Sequence, residues 1–221
     1  KFFGPDGKKL SDTTELAIEA AMENWAAQTR PSGASVGRKI DVTDALETYA
    51  DFLEATLGGT RLDGLTIIVD GANGAAAELA PLFLTRLGAK VIPIACEPDG
   101  LNINEGVGST HPADMLKAVV EYNADLGVSF DGDADRAMLS DSQGRLFDGD
   151  RMLCAGGLWL KESGALTSDT VVGTVMSNLG LEKALKDAGI TLERASVGDR
   201  YVTELLDKTS AALGGEQSGH I

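Results

Sequence analysis

The chain is poor in positive charge, in cysteine and in long apolar runs, and each shortage excludes a class of protein. Its 221 residues carry 19 Lys and Arg against 34 Asp and Glu, a formal net charge of −15. Non-specific nucleic-acid binding needs a basic footprint, so this charge argues against it. Cys96 and Cys154 lack metal-ligand spacing and are expected to be reduced thiols of a cytoplasmic protein. No apolar run reaches about 18 residues and no secretory signal is recognisable, so neither a membrane partner nor export is expected.

What the sequence has in quantity is glycine and short apolar runs. Its 27 glycines, with 43% hydrophobic and 24% charged residues, are typical of an α/β protein with many tight turns. A length of 221 residues predicts one or two domains with a sizeable core. From about residue 65 the pattern alternates strand, loop and helix, which predicts parallel sheets covered by helices.

Turn and helix signals divide the chain further. The Pro-Asp-Gly turn at 5–7 predicts a hairpin, and Asp12 with Glu15 resembles a capping box opening a helix. A second helix is predicted from near Asp41, with a core-facing stripe formed by Val42, Leu46, Tyr49 and Leu53. Later strands are predicted at 65–69, 90–95, 126–130, 170–176, 190–194 and 211–213, with a hairpin over 138–147. Later helices are predicted at 112–122, 151–162, 178–188 and 199–208.

The most informative stretch is 131–136, Asp-Gly-Asp-Ala-Asp-Arg, which follows the predicted strand 126–130. Carboxylates at alternate positions point the same way in a strand, and a tight loop containing Gly132 can bring them closer still. Two unit charges about 4 Å apart repel by roughly 4 kcal/mol at an effective dielectric of 20. A hard divalent cation relieves this repulsion, and the EF-hand calcium pattern is not matched. Magnesium on Asp131, Asp133 and Asp135 is therefore the prediction, with a solvated acidic turn as the alternative.

Arg136 extends this hypothesis. Its guanidinium either neutralises the carboxylates or binds a phosphate oxygen, for which arginine is the usual bidentate partner. Magnesium commonly keeps positions open for phosphate. A cation, an arginine and the carboxyl end of a strand together suggest phosphoryl chemistry.

Four other loops carry weaker signals. Residues 70–74, Asp-Gly-Ala-Asn-Gly, end a strand and open a helix, so they form either a packing turn or a cradle of backbone amides for an anion. Residues 106–111 precede another helix, and His111 is interpreted as a cap or packing residue, with a catalytic base as the alternative. Residues 197–201 and 214–220 follow predicted strands, the place where α/β proteins bind ligands. From spacing alone, two loops without a ligand are the simpler interpretation.

Several of these stretches resemble the α-D-phosphohexomutases, which move a phosphate between the 1- and 6-positions of a sugar. Residues 130–136 resemble the metal-binding loop of that family, and 69–75 resemble a stretch of its second domain. Residues 215–220, Gly-Glu-Gln-Ser-Gly-His, look like its sugar-binding loop, and 1–7 look like the segment after its phosphoserine loop. Residues 197–202 are most similar to the branch that acts on glucosamine phosphates.

The resemblance implies consecutive three-layer α/β domains with mixed, mainly parallel sheets. It also implies roles at particular positions. The implied metal ligands for Mg²⁺ are Asp131, Asp133 and Asp135. The implied catalytic residues are Lys1, Arg136 and His220. The implied substrate-binding residues are Asp199, Arg200, Glu216 and Ser218. The partners implied are a hexosamine phosphate and a sugar bisphosphate, while a homodimer remains open.

The resemblance further suggests a division into the end of a first domain (1–40), a second domain with the metal loop (41–150) and part of a third with the sugar-binding loop (151–221). The phosphoserine loop would then precede Lys1 and a phosphate-binding fourth domain would follow Ile221. A metal loop without its phosphate donor has nothing to transfer, so the chain alone is expected to be inactive.

Three alternatives to a glucosamine phosphate mutase stay open at this point. One is a phosphomannomutase or phosphoglucomutase of the same family. Another is an aspartyl-phosphate phosphatase with Asp131 as nucleophile and Asp133 as acid/base, although the Thr or Ser expected soon after that pair is replaced by Ala134 and its neighbours. The third is a non-catalytic module that binds sugar phosphates.

Overall fold

The structure, a computed structural model, describes residues 2–27 and 29–221. The chain divides into two compact units, residues 1–44 and 45–221. In the first unit the predicted hairpin is present, because Phe3 and Lys9 form an antiparallel bridge. Helix α1 (Asp12–Glu23) follows it. The helix cap is Ser11, whose side chain accepts the N–H of Thr14, so the capping box predicted at Asp12 is wrong by one residue.

The second unit holds two sheets in sequence. Helix α2 (Ala45–Thr56) precedes the first sheet. That sheet consists of β1 (Thr66–Asp70), β2 (Lys90–Ile94), β3 (Leu126–Phe130), β4 (Ala137–Asp141) and β5 (Leu146–Phe147), with helices α3 (Ala76–Arg86) and α4 (Ala113–Glu121). The second sheet consists of β6 (Thr170–Thr174), β7 (Thr191–Ala195) and β8 (Leu213–Gly214), with helices α5 (Gly149–Glu162), α6 (Leu179–Asp187) and α7 (Asp199–Thr209).

The first sheet is mixed and covered on both faces. Its order is β2-β1-β3-β4-β5, with β1 parallel to β2 and β3, and with β4 antiparallel to β3 and β5. Successive side chains of β1 point to opposite faces. Ile67 and Val69 accordingly pack with Ala80 of α3, whereas Ile68 packs with Met115 of α4. These are the three layers that the resemblance implied.

The second sheet is parallel throughout and is covered in the same way. Its order is β7-β6-β8. Val171 packs with Leu153 of α5 and Leu185 of α6, whereas Val172 packs with Val202 of α7. The predicted fold class, α/β with mixed and mainly parallel sheets, is therefore confirmed.

The predicted ends of the strands and helices agree with the structure to within two residues from β1 onwards. The second helix is also present, but its predicted start and two of the four residues assigned to its core-facing stripe are wrong. The helix begins at Ala45, so Val42 precedes it and is exposed. Ala50 is the buried residue, and Leu46 and Leu53 flank it at i−4 and i+3 on the same face. Tyr49, the residue before Ala50, points away from the buried face and is exposed. Its ring stacks on that of Phe52, with ring centroids 6.2 Å apart.

Ion pairs supplement this small apolar contact of α2. Arg86, the last residue of α3, lies 2.6 Å from a carboxylate oxygen of Asp51 and 2.7 Å from one of Glu54. A carboxylate oxygen of Glu47 lies 3.5 Å from it. One guanidinium thus joins three successive turns of α2 to α3. Among the described helices, none combines the length and the apolar character needed to cross a membrane.

The packing of α6 gives a stability prediction. Leu185 is fully buried in the core of the second sheet, and truncating such a leucine leaves a cavity. Leu185→Ala should lower the opening free energy of α5 and α6 by about 2–5 kcal/mol. Hydrogen exchange of α5 and α6 in the intact gene product measures this opening free energy. Leu179→Ala on the same helix is the control, because Leu179 is exposed and its loss should change the opening free energy by less than about 0.5 kcal/mol. Equal effects of the two variants would contradict the assigned core.

Candidate active site

The segment 131–136 is the hairpin loop that joins β3 to β4, and we call it the metal loop. The Asp131 N–H donates to the Arg136 carbonyl at 3.2 Å, and the Ala134 N–H donates to the Asp131 carbonyl at 3.0 Å. Ala134 adopts a left-handed conformation with φ of 59°. The acidic residues therefore converge through a tight turn and do not alternate along a strand.

This turn brings the three predicted carboxylates together. One oxygen each from Asp131, Asp133 and Asp135 lies within 4.8 Å of the others. Asp131 is buried, Asp133 is exposed and Asp135 is intermediate, so the cluster opens from the protein interior to solvent. An all-oxygen donor set of this kind fits a hard cation such as Mg²⁺.

Arg136 is the guanidinium that balances the cluster. Its Nε donates to Asp131 Oδ2 at 2.8 Å and lies 3.5 Å from Asp135 Oδ1, while its backbone N–H donates to Asp131 Oδ1 at 3.1 Å. Burial lowers the pKa of Arg136, but the hydrogen bond and charge of Asp131, with the charges of Asp135 and Asp133, more than offset it, so the pKa is raised. Of the two roles that the sequence left open, neutralisation is visible in the structure.

The loop at 70–74 is a packing turn and does not cradle an anion. The N–H groups of residues 71–75 all donate within the protein, to Ile94 O, Asp70 Oδ1, Ala95 O, Gly71 O and Gly132 O in turn. Gly74 lies so close to the metal loop that a Cβ there would collide with the Gly132 carbonyl. The anion-binding alternative for this loop is therefore wrong, and its role is to hold helix α3 and the metal loop together.

The 214–220 loop follows β8 and is folded on itself. The Glu216 N–H donates to the His220 carbonyl at 2.8 Å, and the Gly219 N–H donates to the Glu216 carbonyl at 3.0 Å. Glu216 Oε1 accepts the N–H of Gly198 at 2.7 Å, and Ser218 Oγ lies 3.5 Å from Glu216 Oε2. Because β6 lies between β7 and β8, the Glu216 side chain crosses the carboxyl end of the central strand.

The 214–220 loop also contacts the metal loop and the start of α5. The Ala137 N–H donates to the Gly219 carbonyl at 3.1 Å, and the Gly149 N–H donates to the Gln217 carbonyl at 3.0 Å. His220 Nδ1 lies 3.7 Å from Asp135 Oδ2. The structure thus brings His220 and the carboxylate cluster together, although His220 comes 85 positions after Asp135 in the chain.

The remaining predicted residues are placed as follows. Asp199 and Arg200 begin α7, and Asp199 Oδ1 accepts the Arg200 N–H at 2.8 Å. Asp199, Glu216 and His220 line one cavity of about 170 Å³. Lys1 lies outside the described residues. His111 is exposed, with its Nδ1 3.2 Å from Thr110 Oγ1.

The two cysteines are free and partly buried. Burial raises the pKa of Cys96, whose thiol donates to the Ile94 carbonyl at 3.2 Å, and burial also raises the pKa of Cys154. A raised pKa leaves less thiolate, so the structure assigns neither thiol a nucleophilic role.

The sequence interpretation missed two kinds of residue. Two glycines lie where the 214–220 loop meets other segments. A Cβ on Gly219 would collide with the Ala137 carbonyl, and a Cβ on Gly149 would collide with the Glu216 carbonyl. Nothing in their local sequence indicates which distant carbonyl they approach. The second kind is a buried carboxylate, Asp70, which the sequence placed in the 70–74 turn without indicating that it accepts hydrogen bonds from Gly108 and Ser129.

Comparison with known families decides the membership of this chain. Residues 47–144 match the model of phosphoglucomutase/phosphomannomutase α/β/α domain II, and residues 148–221 match that of domain III. The chain belongs to the phosphoglucomutase/phosphomannomutase family. The resemblance to phosphohexomutases is thereby confirmed.

Curated relatives in this family match the whole chain. Phosphoglucosamine mutase of Mycobacterium sp. (strain KMS) is 51% identical over 221 residues, and that of Pelotomaculum thermopropionicum is 52% identical over 222 residues. Both alignments cover 100% of this chain, but 49% and 50% of the respective relative. The chain therefore spans about half the length of the curated relatives it matches.

Solved structures of phosphoglucomutase/phosphomannomutase relatives share the fold. A family protein from Burkholderia thailandensis gives a TM-score of 0.75 at 22% identity, covering 95% of this chain and 44% of its own. A phosphomannomutase structure from Thermus thermophilus gives a TM-score of 0.72 at 23% identity, and the alignment covers 96% of this chain and 48% of that chain. N-acetylphosphoglucosamine mutase of Aspergillus fumigatus was solved with GlcNAc-6P and magnesium. It gives a TM-score of 0.55 at 21% identity, and the alignment covers 79% of this chain and 40% of that chain.

The close approach of Gly219 gives a prediction for this family member. Gly219 has a φ of 93°, and a Cβ there would also strike the Ala137 carbonyl. Gly219→Ala should destabilise segment 131–137 by about 1–3 kcal/mol beyond the cost of the backbone conformation. Hydrogen exchange of that segment in the intact gene product measures the effect.

Gly164→Ala is the matched control, because Gly164 has a φ of 73° and no atom within 4 Å of the added Cβ. It should show the conformational cost alone and leave segment 131–137 unchanged. Unaltered exchange at 131–137 in Gly219→Ala would contradict the assigned contact between the two loops.

Proposed function

We propose that the intact gene product interconverts glucosamine 6-phosphate and glucosamine 1-phosphate. The reaction would pass through a phosphoserine and a bisphosphorylated sugar, and would serve amino-sugar nucleotide and cell-wall precursor synthesis. The observation that carries the proposal is the contact between a three-carboxylate loop and a loop presenting Glu216 and Ser218. The name of the curated relatives, phosphoglucosamine mutase, supports glucosamine over glucose or mannose as the sugar. A cytoplasmic location and a homodimer stay predictions.

The proposal also includes the division of the chain. We infer that 41–150 forms the second family domain and 151–221 belongs to the third, and that 1–40 belongs to the first. The family matches at 47–144 and 148–221, and the compact unit at 1–44, support this division.

Asp131, Asp133 and Asp135 would hold the magnesium ion. When bound, the ion supplies positive charge that stabilises the charge on a transferring phosphoryl group. Asp131 is fixed by two hydrogen bonds from Arg136, and each carboxylate oxygen retains a further lone pair for a cation. The relative from Aspergillus fumigatus was solved with magnesium and GlcNAc-6P, which supports a magnesium-dependent reaction on amino-sugar phosphates.

Glu216 and Ser218 would recognise the sugar. Neither side chain is cationic, so hydroxyl groups of the ring fit them better than a phosphate does. Glu216 already holds the Gly198 N–H through Oε1, which fixes the carboxylate and leaves Oε2 directed towards Ser218. Asp199 lines the same cavity as Glu216, which supports a role for the 199–200 segment in the same site.

His220 would move a proton at the sugar hydroxyl, since it follows Glu216 and Ser218 in the same loop and its Nδ1 lies 3.7 Å from Asp135 Oδ2 in the metal loop. Arg136 would hold the carboxylates in place and stabilise charge. The role implied for Lys1 as an acid or base stays a prediction.

The phosphatase alternative fits the sequence poorly. Asp131 would have to act as nucleophile with Asp133 as acid/base, yet the Thr or Ser expected soon after that pair is replaced by Ala134 and its neighbours. The alternatives of a different hexose substrate and of a non-catalytic module are separated by an assay. Phosphate migration on glucosamine 6-phosphate, with magnesium and a bisphosphate activator, should exceed migration on glucose and mannose phosphates in the intact gene product. The absence of any migration would contradict the proposal.

The metal assignment predicts the effect of Asp133→Asn. Removing one of three negative charges should weaken Mg²⁺ binding about tenfold or more, a loss of about 1.4 kcal/mol. Calorimetric titration of the intact gene product with Mg²⁺ measures it. Asp187→Asn, at an exposed carboxylate on the far end of α6, should leave the affinity unchanged. Unchanged affinity in the single Asn variants of all three aspartates would refute the site.

The sugar assignment predicts a different pattern for Glu216. Glu216→Ala should lower turnover of sugar phosphates. It removes the carboxylate that would accept hydrogen bonds from the sugar hydroxyls, and it also removes the hydrogen bond that holds the Gly198 N–H. It should affect phosphorylation of the serine by a sugar bisphosphate less than Asp133→Asn does. Glu216→Gln is the control, because it retains an acceptor for the Gly198 N–H and loses the charge. The reverse ranking would show that the roles of the two loops are interchanged.

A further inference from the structure

One carboxylate beside the metal loop has no place in the reaction proposed above. Asp70 ends β1 and is 1% exposed. Its Oδ1 accepts the Ala72 N–H at 3.0 Å, and its Oδ2 accepts both the Gly108 N–H at 2.8 Å and the Ser129 hydroxyl at 2.7 Å. Asp70 cannot reach solvent, so its function must lie in these bonds.

The three donors come from three different segments. Ala72 belongs to the loop after β1, Gly108 to the loop before α4, and Ser129 to β3. Asp70 and Ser129 are directly paired in the parallel register of β1 and β3, which is why their side chains meet. One carboxylate therefore fixes two loops to the strand that leads into the metal loop.

Each of these two loops in turn holds the backbone of the metal loop. The Ala75 N–H donates to the Gly132 carbonyl at 2.9 Å, and the Ser109 N–H donates to the Phe130 carbonyl at 2.8 Å. Phe130 and Gly132 are the residues on either side of Asp131. The position of the buried Asp131 is thus fixed by the N–H groups of Ala75 and Ser109. The loops that carry these two groups are themselves hydrogen-bonded to Asp70.

We propose that Asp70 is a positioning residue of the metal site, acting on Asp131 through the loops at 71–75 and 106–109. The inference rests on the proposed role of the metal loop. Asparagine cannot replace Asp70, because one of its two terminal atoms is a donor. The Ser129 hydroxyl can rotate to accept a hydrogen bond, but the backbone N–H groups of Ala72 and Gly108 cannot.

The test compares Asp70→Asn, Asp133→Asn and Val119→Ala in the intact gene product. Val119 is fully buried against the same sheet, so its truncation destabilises that sheet without altering the loops. Calorimetric titration with Mg²⁺ gives the affinity, and thermal unfolding without metal gives the stability. Asp70→Asn should weaken Mg²⁺ binding about tenfold to a hundredfold, as loss of a residue behind the ligands does. Val119→Ala should lower the melting temperature and leave the affinity unchanged.

A second readout does not involve the metal. Hydrogen exchange at 131–136 in metal-free protein should be faster in Asp70→Asn and unchanged in Val119→Ala. Ser129→Ala removes one donor only and should give a smaller loss of affinity, which keeps the proposal testable if Asp70→Asn fails to fold. Ser129→Ala would be expected to fold because its change is a single hydroxyl.

The outcomes separate the two proposals. Normal Mg²⁺ affinity in Asp70→Asn, together with weakened affinity in Asp133→Asn, would overturn the positioning role and leave the metal site standing. Normal affinity in Asp70→Asn and in all three aspartate variants of the metal loop would overturn both. Equal loss of affinity in Asp70→Asn and Val119→Ala would also overturn the positioning role, since it would follow from general destabilisation.

Discussion

Three carboxylates within 4.8 Å of one another repel strongly, and much of the surrounding structure serves to hold them there. Two unit charges about 4 Å apart repel by roughly 4 kcal/mol at an effective dielectric of 20, and the exposure of Asp133 to solvent reduces its share of this repulsion. Arg136 offsets part of this cost through its Nε and its backbone N–H, both bonded to Asp131. The remaining repulsion is opposed by the backbone of the loop. Hydrogen bonds close its turn, and amide groups of neighbouring loops hold it in place. A bound cation would relieve this repulsion, which is the role proposed for magnesium at this cluster.

The 214–220 loop is in close contact with Ala137, the residue that follows the metal loop, and with the start of α5. Gly219 approaches the Ala137 carbonyl and Gly149 approaches the Glu216 carbonyl, so neither position has room for a side chain. The distance between the carboxylates and Glu216 is thus set by backbone contacts, which vary less than side-chain contacts. The proposed reaction depends on positioning plus charge stabilisation, so it would benefit from a fixed distance between the proposed metal ligands and the proposed sugar-recognition residues.

Local patterns predicted most of the architecture. Alternation of apolar runs, glycine stops and helix caps indicated the strands and helices from β1 onwards, because those signals depend on residues a few positions apart. The same reasoning failed at α2, where the residues at helical spacing were compatible with more than one face. Ala50 faces the interior and Tyr49 does not, and only the contact with α3, strengthened by Arg86, selects between them.

The sequence by itself indicated the carboxylates and arginine of 131–136 as a candidate metal site, because they form one short contiguous string, whereas Glu216 and Ser218 stood out only through the family resemblance. The tertiary structure alone decided that the two loops meet, that His220 lies beside Asp135, and that Asp70 accepts hydrogen bonds from Gly108 and Ser129. The physical reason is that parallel strands bring their carboxyl ends to one edge of a sheet. Residues such as Asp70 and Ser129, 59 positions apart, become neighbours there only once the strand order and register are fixed.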